Sequence, residues 1–290
     1  MGCLARTTAA VGAALGPAAA AADALVGRLP GAARRQREAL GHLAHRPWAL
    51  PDGRWIMAQT WADLLFCHWP VDAARLRPHV PASLPLDRFD GRPWLTITPF
   101  EVRATRVRGA LPPPVLSRFP ELNVRTYVVC DGRPGIWFFS LDAASALAVA
   151  AARGLYRLPY LRARMRIVRD AGWVDYRSVR SDPRGAPARF EARYRPDGGV
   201  RHADPGSLEA WLVERYRLYT VDDAGRVFFG DIHHRPWMLQ DAVLDVRANT
   251  MTAPHGIALD GDPLVQFARR QDVVFWPLRL LRRPGAARCG

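Results

Sequence analysis

The 290-residue chain contains no lysine; all 41 of its Lys+Arg side chains are arginine. Schiff-base catalysis needs an amine that can shed its proton, and a guanidinium stays charged, so imine chemistry on a protein side chain is excluded. A Walker-type phosphate loop, which reaches its nucleotide through a lysine, is excluded as well. Abundant Ala, Arg, Gly and Pro point to GC-rich coding as the origin of the absence, and the chemical exclusion holds whatever the origin. Cysteine is scarce too. Cys3, Cys67, Cys130 and Cys289 form no CxxC and no close pair, so neither a zinc site nor a disulfide framework is expected. That usage suits a reducing cytoplasm. Long apolar runs are missing: the run at 273–281 is too short to span a bilayer and carries Arg279. GxSxG, HExxH and GxGxxG do not occur, which leaves serine-hydrolase, zincin and dinucleotide-binding readings without support. No metal and no cofactor is expected.

What is present begins with charge. The formal net charge is +14, yet residues 1–60 and 269–290 supply +4 and +5 of it, leaving +5 on the long middle segment. Basic tails can hold RNA or anionic lipid without specificity, whereas no signature of a specific nucleic-acid reader appears. The first 30 residues are Ala-rich. Ala18-Ala19-Ala20 would suit a secretory cleavage site, but Pro17 interrupts the stretch, so a weak helix, a disordered tail or a misassigned start fits better. Three parts are expected: an Ala/Arg-rich extension over 1–54, disordered or weakly helical; a folded domain over 55–278; and a basic tail over 279–290.

Within the domain, Asp90-Gly91, Asp131-Gly132 and Asp197-Gly198 sit between apolar or alternating segments and signal hairpins. Strands are expected over 95–108, 123–130, 135–141, 163–169, 173–180 and 188–194. Helices are few: one after Asp72, one over 143–156 with Asp142 as N-cap, and one capped by Ser207. The fold class is therefore α+β, predominantly antiparallel β with a few short helices.

The densest polar pattern is Glu121-Leu-Asn123-Val-Arg125-Thr-Tyr127. On a strand, side chains alternate between faces, so Glu121, Asn123, Arg125 and Tyr127 share one face. That face either meets solvent or lines a cleft in which Arg125 grips a carboxylate and Glu121 exchanges a proton or partners an arginine. Cys67 and His68 are adjacent on a strand and point apart, so they form no nucleophile–base pair; His68 is either a packed polar side chain or a ligand or base.

The segments FCHWPV (66–71), LDRFDG (86–91), ELNVRTYV (121–128), FFSLDA (138–143), LPY (158–160), ERYRLY (214–219) and HRPW (234–237), in that order, resemble the YqjF-like family of uncharacterised bacterial proteins. The resemblance spans roughly residues 56–277. That family looks like a branch of the acetoacetate-decarboxylase-like superfamily, which implies a β-rich, barrel- or cone-like domain around an apolar cavity. In the decarboxylases, a Gly-Arg-Glu segment leads into a Pro-Lys-Lys motif. Arg153 and Pro159 stand at the matching spacing here, and Tyr160 and Leu161 replace the lysines. The resemblance places Glu121 at a polar-pocket glutamate and turns its row inward. Arg153 then becomes a second anion anchor or a partner for Glu121, and Tyr160 a hydrogen-bond donor, a general acid or a cap on a sealed core.

Two functional readings follow. In the first, an internal cavity holds a small organic acid or carbonyl compound without Schiff-base decarboxylation. Glu121 and Tyr160 do the proton work, and Asn123, Arg125, Tyr127, Arg153 and His68 bind. In the second, the chain is a non-catalytic interaction module docking through its basic tails. A metal site built on His68 and His234 is a weaker third. Partners are a small-molecule ligand, no specific nucleic acid and no transmembrane segment. Decarboxylase relatives assemble into oligomers, which leaves room for a homo-oligomer.

Overall fold

The computed structural model describes residues 31–110 and 118–281. Twelve strands dominate: β1 (Met57–Pro70), β2 (Trp94–Val107), β3 (Arg118–Cys130), β4 (Arg133–Ala143), β5 (Tyr160–Asp170), β6 (Trp173–Arg180), β7 (Arg189–Arg201), β8 (Arg217–Val221), β9 (Val227–His234), β10 (Leu239–Asn249), β11 (Leu264–Phe275) and β12 (Arg279–Leu280). The helices are short: α1 (Ala32–Ala39), α2 (Ala73–Leu76), α3 (Ala146–Tyr156) and α4 (Leu208–Val213).

The strands form one sheet in the order β12-β9-β8-β4-β3-β2-β1-β11-β10-β7-β6-β5, and it closes on itself twice, through β4–β5 and β9–β11. Strands β4, β3, β2, β1 and β11 thus make a wall shared by two rings. One ring is completed by β10, β7, β6 and β5, the other by β9 and β8. Pairing is antiparallel except where β4 meets β5 and β8. Because side chains alternate along a strand, the shared wall feeds two interiors. Leu122 and Val124 join a sealed core with Tyr176, Phe190, Tyr194 and Phe267. The opposite faces of the same strands join Phe66, Phe100, Phe119, Ile136 and Trp237 in the second interior.

Local chemistry explains the joints. Asp131 and Gly132 both adopt positive φ (50° and 69°) and connect β3 to β4 in a two-residue turn whose twist matches the strands. Asp90 and Gly91 do the same in a small turn bridged by Phe89 and Arg92. Asp197-Gly198 departs from expectation: it lies inside β7, where the register against β10 shifts, and makes a bulge instead of a hairpin. The hairpin between β5 and β6 is made by Ala171-Gly172, with φ of 46° and 82°. Gly135 is required by close approach, since a Cβ there would stand 2.6 Å from the Tyr219 ring and 2.8 Å from the Arg217 carbonyl.

Helix α3 is capped by Ser145, whose hydroxyl accepts from the Ala148 amide, so Asp142 is not its N-cap. Asp142 belongs to β4 and is fully buried against Arg180. Asp72 and Ser207 cap α2 and α4 through the amides of Ala74 and Ala210.

The N-terminal segment is also more integrated than a separate appendage. Residues 1–30 lie outside the described part, but 31–54 pack on the sheet. Gln36, fully buried in α1, donates to Thr60 Oγ1 and to the Ala104 carbonyl, each at 3.2 Å, and accepts from Arg106 Nε at 2.8 Å. Arg46 donates to the Ile232 carbonyl at 2.9 Å. At the other end, Arg279 and Leu280 pair with β9, and residues 282–290 lie outside the described part.

Candidate functional site

The second interior is not filled. A cavity of about 210 Å³ opens inside it. Its walls are mostly apolar, with Trp61, Leu64, Phe66, Phe100, Ile136 and Phe138 among the lining side chains, and Trp237 stacks near Trp61. Against this surface β3 projects Glu121, Asn123 and Arg125, with Tyr160 reaching in from the start of β5.

Glu121 is buried and its Oε1 accepts from the Tyr160 hydroxyl at 3.0 Å. Burial pushes its carboxyl up to about 7, against the smaller opposing pull of hydrogen bonds from Tyr160 and Asn123. Burial and the neighbouring carboxylate together hold the Tyr160 phenol well above its ordinary range, so it stays a donor. Asn123 spends its amide on Glu121, and its buried Oδ1 accepts no hydrogen bond among the described residues.

Arg125 meets no carboxylate among the described residues. Its Nε and Nη2 are buried without a hydrogen-bond partner. These two N–H groups lie on one edge of the guanidinium, the fork that a carboxylate fills with two parallel hydrogen bonds. Burial lowers its pKa, and Tyr127 beside it partly offsets the effect. The Arg125 guanidinium stands 5.5 Å from the Phe66 ring centroid.

The remaining expected residues sit around the cavity instead of in it. Tyr127 is fully buried behind Arg125, its hydroxyl 2.6 Å from Thr96 Oγ1. Thr96 in turn lies 2.8 Å from His68 Nδ1, and His68 Nε2 lies 3.1 Å from Gln266 Oε1. Burial, then the charge of Arg125, takes His68 down to about 3, so the ring is neutral. With Gln266 Oε1 an acceptor, the network assigns the proton to Nε2, Thr96 donates to Nδ1, and Tyr127 donates to Thr96. The tyrosine oxygen is left with lone pairs toward Arg125. Arg153 neither enters the cavity nor pairs with Glu121: from α3 it donates to the Tyr160 carbonyl at 3.0 Å, tying helix to strand. Glu121 does not pair with Arg125 either. Four residues apart on one face, they are separated by about 13 Å of strand at ~3.3 Å per residue.

Two lining arginines had no assigned role in the sequence, and His234 had one only as a candidate metal ligand. Arg215 and Arg217 are held by Asp87 at 2.6 Å and Asp231 at 2.8 Å. His234 directs its ring nitrogens at the carbonyls of Arg235 and Arg215, and burial takes it down to about 4. The only signal for the two arginines was membership of the segment ERYRLY. With both nitrogens of His68 already engaged, the pair forms no metal site. Among the described residues no group of three or more His, Cys, Asp or Glu could hold a metal ion, and no helix is long and apolar enough to cross a membrane.

The twice-closed, β-rich fold is acetoacetate-decarboxylase-like: solved structures of that kind superpose on this chain. An acetoacetate decarboxylase from Legionella pneumophila matches with a TM-score of 0.55 at 10% identity, covering 83% of this chain and 94% of that one. The enduracididine biosynthesis enzyme MppR complexed with pyruvate matches with a TM-score of 0.55 at 13% identity, over 82% and 93%. An acetoacetate decarboxylase-like enzyme from Sphingomonas wittichii RW1 gives 0.54 at 13%, over 84% and 99%. Identities so low speak for fold alone. The particular family is closer: the DUF2071 model, described as an uncharacterised conserved protein, matches residues 58–272. The uncharacterised protein YqjF of Bacillus subtilis (strain 168) is 47% identical over 232 residues, covering 80% of this chain and 95% of that protein. The chain belongs to the DUF2071 family.

Proposed function

We propose that the cavity binds a small organic acid through Arg125 and presents it to the Glu121–Tyr160 pair, with no Schiff base involved. The observation that carries this reading is Arg125 itself, a buried cation whose open edge lacks any counter-charge. A buried charge is costly unless paired, so a site that keeps one empty is built for an incoming anion. A hydroxyl or enol on the ligand would give Asn123 Oδ1 its missing donor. Glu121, with a carboxyl near 7, is suited to take or return a proton at neutral pH. MppR, of the same fold, is described in complex with pyruvate, which supports a carbonyl-bearing acid as the ligand class.

The experiment is a thermal-shift screen of the full-length protein against keto acids, hydroxy acids and neutral carbonyl compounds, since a bound ligand raises the melting temperature by mass action. Acids are expected to register and their neutral counterparts not. Arg125→Met is expected to abolish the hits while leaving the melt cooperative. Hits that survive Arg125→Met would end the reading.

A further inference from the structure

Beyond the anion-binding edge of Arg125, the cavity has a direction. Cross-strand register fixes it. Arg125 pairs with Thr96 and Thr96 with His68, so this end is closed by the buried Tyr127–Thr96–His68–Gln266 chain. Moving along β3 away from Arg125, Asn123 lies opposite Thr98, Glu121 opposite Phe100, and Phe119 opposite Val102. Beyond that level β1 and β2 contribute Met57 and Val107, which pair with each other, and α3 contributes Leu155. Val107 and Leu155 both line the cavity and are each 51% exposed to solvent. Large apolar side chains that are at once cavity wall and open surface mark a mouth. Apolar side chains therefore line one side of the way from the guanidinium out to solvent, opposite the polar row of β3 and beside the hydroxyls of Thr98 and Thr105. Arg125 and Phe119 are six residues apart, roughly 20 Å of strand at ~3.3 Å per residue.

We infer that the ligand is an amphipathic monocarboxylate, its headgroup on Arg125 and its apolar tail lying along Phe66 and Phe100 toward the Val107–Leu155 mouth. The inference rests on the Arg125 reading and adds the tail. Size agrees. An engineered apolar cavity of about 150 Å³ takes up benzene, so about 210 Å³ suits a single ring with a short arm or a chain of about eight carbons. Pyruvate-sized acids would leave most of the aromatic wall uncovered. A second carboxylate at the end of an eight-carbon chain would stop beside Phe100 and the Glu121 carboxyl, a poor place for another anion.

Titrating the full-length protein with straight-chain carboxylates from acetate to decanoate, by calorimetry below their micelle concentrations, tests this. Affinity should rise about fourfold per methylene while the chain remains inside. It should level off near eight carbons, and octanoate should outbind octanedioate by at least tenfold. Phe100→Ala should weaken octanoate several-fold and leave butanoate unchanged. Arg125→Met should abolish both. If short acids bind with no dependence on chain length, or octanedioate binds as well as octanoate, the tail is wrong while the Arg125 site stands. If no carboxylate binds, or if binding ignores Arg125→Met, the anion site fails and the tail inference falls with it.

Discussion

On the side of β3 that carries Leu122 and Val124, the charges and phenols that reach the interior are matched, and the Ser178 hydroxyl alone among these neighbours on β6 is left without a partner. Arg180 from β6 donates to Asp142 of β4 at 2.9 Å and to Ser140 at 2.9 Å. Tyr176 gives its hydroxyl to the Glu121 carbonyl at 2.7 Å and Tyr194 to that of Asp63 at 2.9 Å. On the side that carries Glu121, Asn123 and Arg125, the same strand leaves a carboxyl with only neutral partners, a carbonyl oxygen with no donor and a guanidinium edge with no acceptor. Arginine is plentiful, so supply does not explain the difference: elsewhere Asp63 and Glu101 are shared among Arg103, Arg118, Arg169 and Arg269. A packed interior must satisfy its polar groups from within, whereas a binding cavity keeps some unsatisfied for what enters it.

The largest effect should come from breaking the matched side. Arg180→Met leaves Asp142 buried without a counter-charge, and such a loss costs about 3–5 kcal/mol. Urea denaturation should show it as a fall in the transition midpoint at unchanged slope. A cost below about 1 kcal/mol would mean that the sealed half tolerates orphaned charge too, and the contrast between the two interiors would collapse.

Next in size is the pH response of Glu121. Its carboxyl rises from an ordinary 4.5 to about 7 on folding, so the native state keeps a proton that the unfolded chain releases. Stability contributed by the neutral, buried form is complete below 4.5 and is lost as pH climbs to 7. A gap of that size corresponds to roughly 3 kcal/mol. Glu121→Gln removes the ionisation, so its stability relative to wild type should grow by about that amount between pH 4.5 and 7, then stay level. The histidines buried neutral, His68 and His234 among them, titrate in both proteins and cancel from the difference. Denaturation curves at pH 5 and pH 8 that differ equally between the two proteins would show that Glu121 is not held neutral by its surroundings.

Much of this was legible in the residues, for reasons that can be named. Period-two alternation placed Glu121, Asn123 and Arg125 on one face, because strand geometry allows nothing else. It also placed Tyr127 there, but alternation cannot report depth, and Tyr127 stops behind the cavity among Trp211, Thr96 and Arg215. Asp131-Gly132 announced its hairpin, while Ala171-Gly172 gave no warning because alanine seldom adopts positive φ. Asp197-Gly198 gave a positive φ at Gly198 alone and no hairpin: the chain bulges there and continues, with β10 as a partner on both sides of the irregularity. The acetoacetate-decarboxylase-like fold was carried by ordered motif matches, not by periodicity. The sequence before residue 54 looked detached because its composition is polar and Ala-rich. Its docking depends on single buried contacts such as Gln36 with Thr60, which leave no pattern.

The smallest expected effect is the most discriminating. Replacing a buried arginine paired to a carboxylate should be severe, but Arg125 has only the neutral Tyr127 oxygen beside it and no charge to orphan. Arg125→Met exchanges a desolvated guanidinium for an unbranched apolar side chain against Phe66, in a cavity with room for it. The cation–π contact that is lost is worth about 0.5–2 kcal/mol, and the relief of an unmatched buried charge opposes it. Ligand-free Arg125→Met should therefore match or exceed wild type in stability, within about 1 kcal/mol, while Arg180→Met collapses under identical conditions. A melting curve of each variant without ligand decides it. If Arg125→Met loses as much as Arg180→Met, Arg125 belongs to the framework and the two interiors follow one rule. If it loses nothing, the guanidinium is maintained at a cost that only an incoming anion offsets.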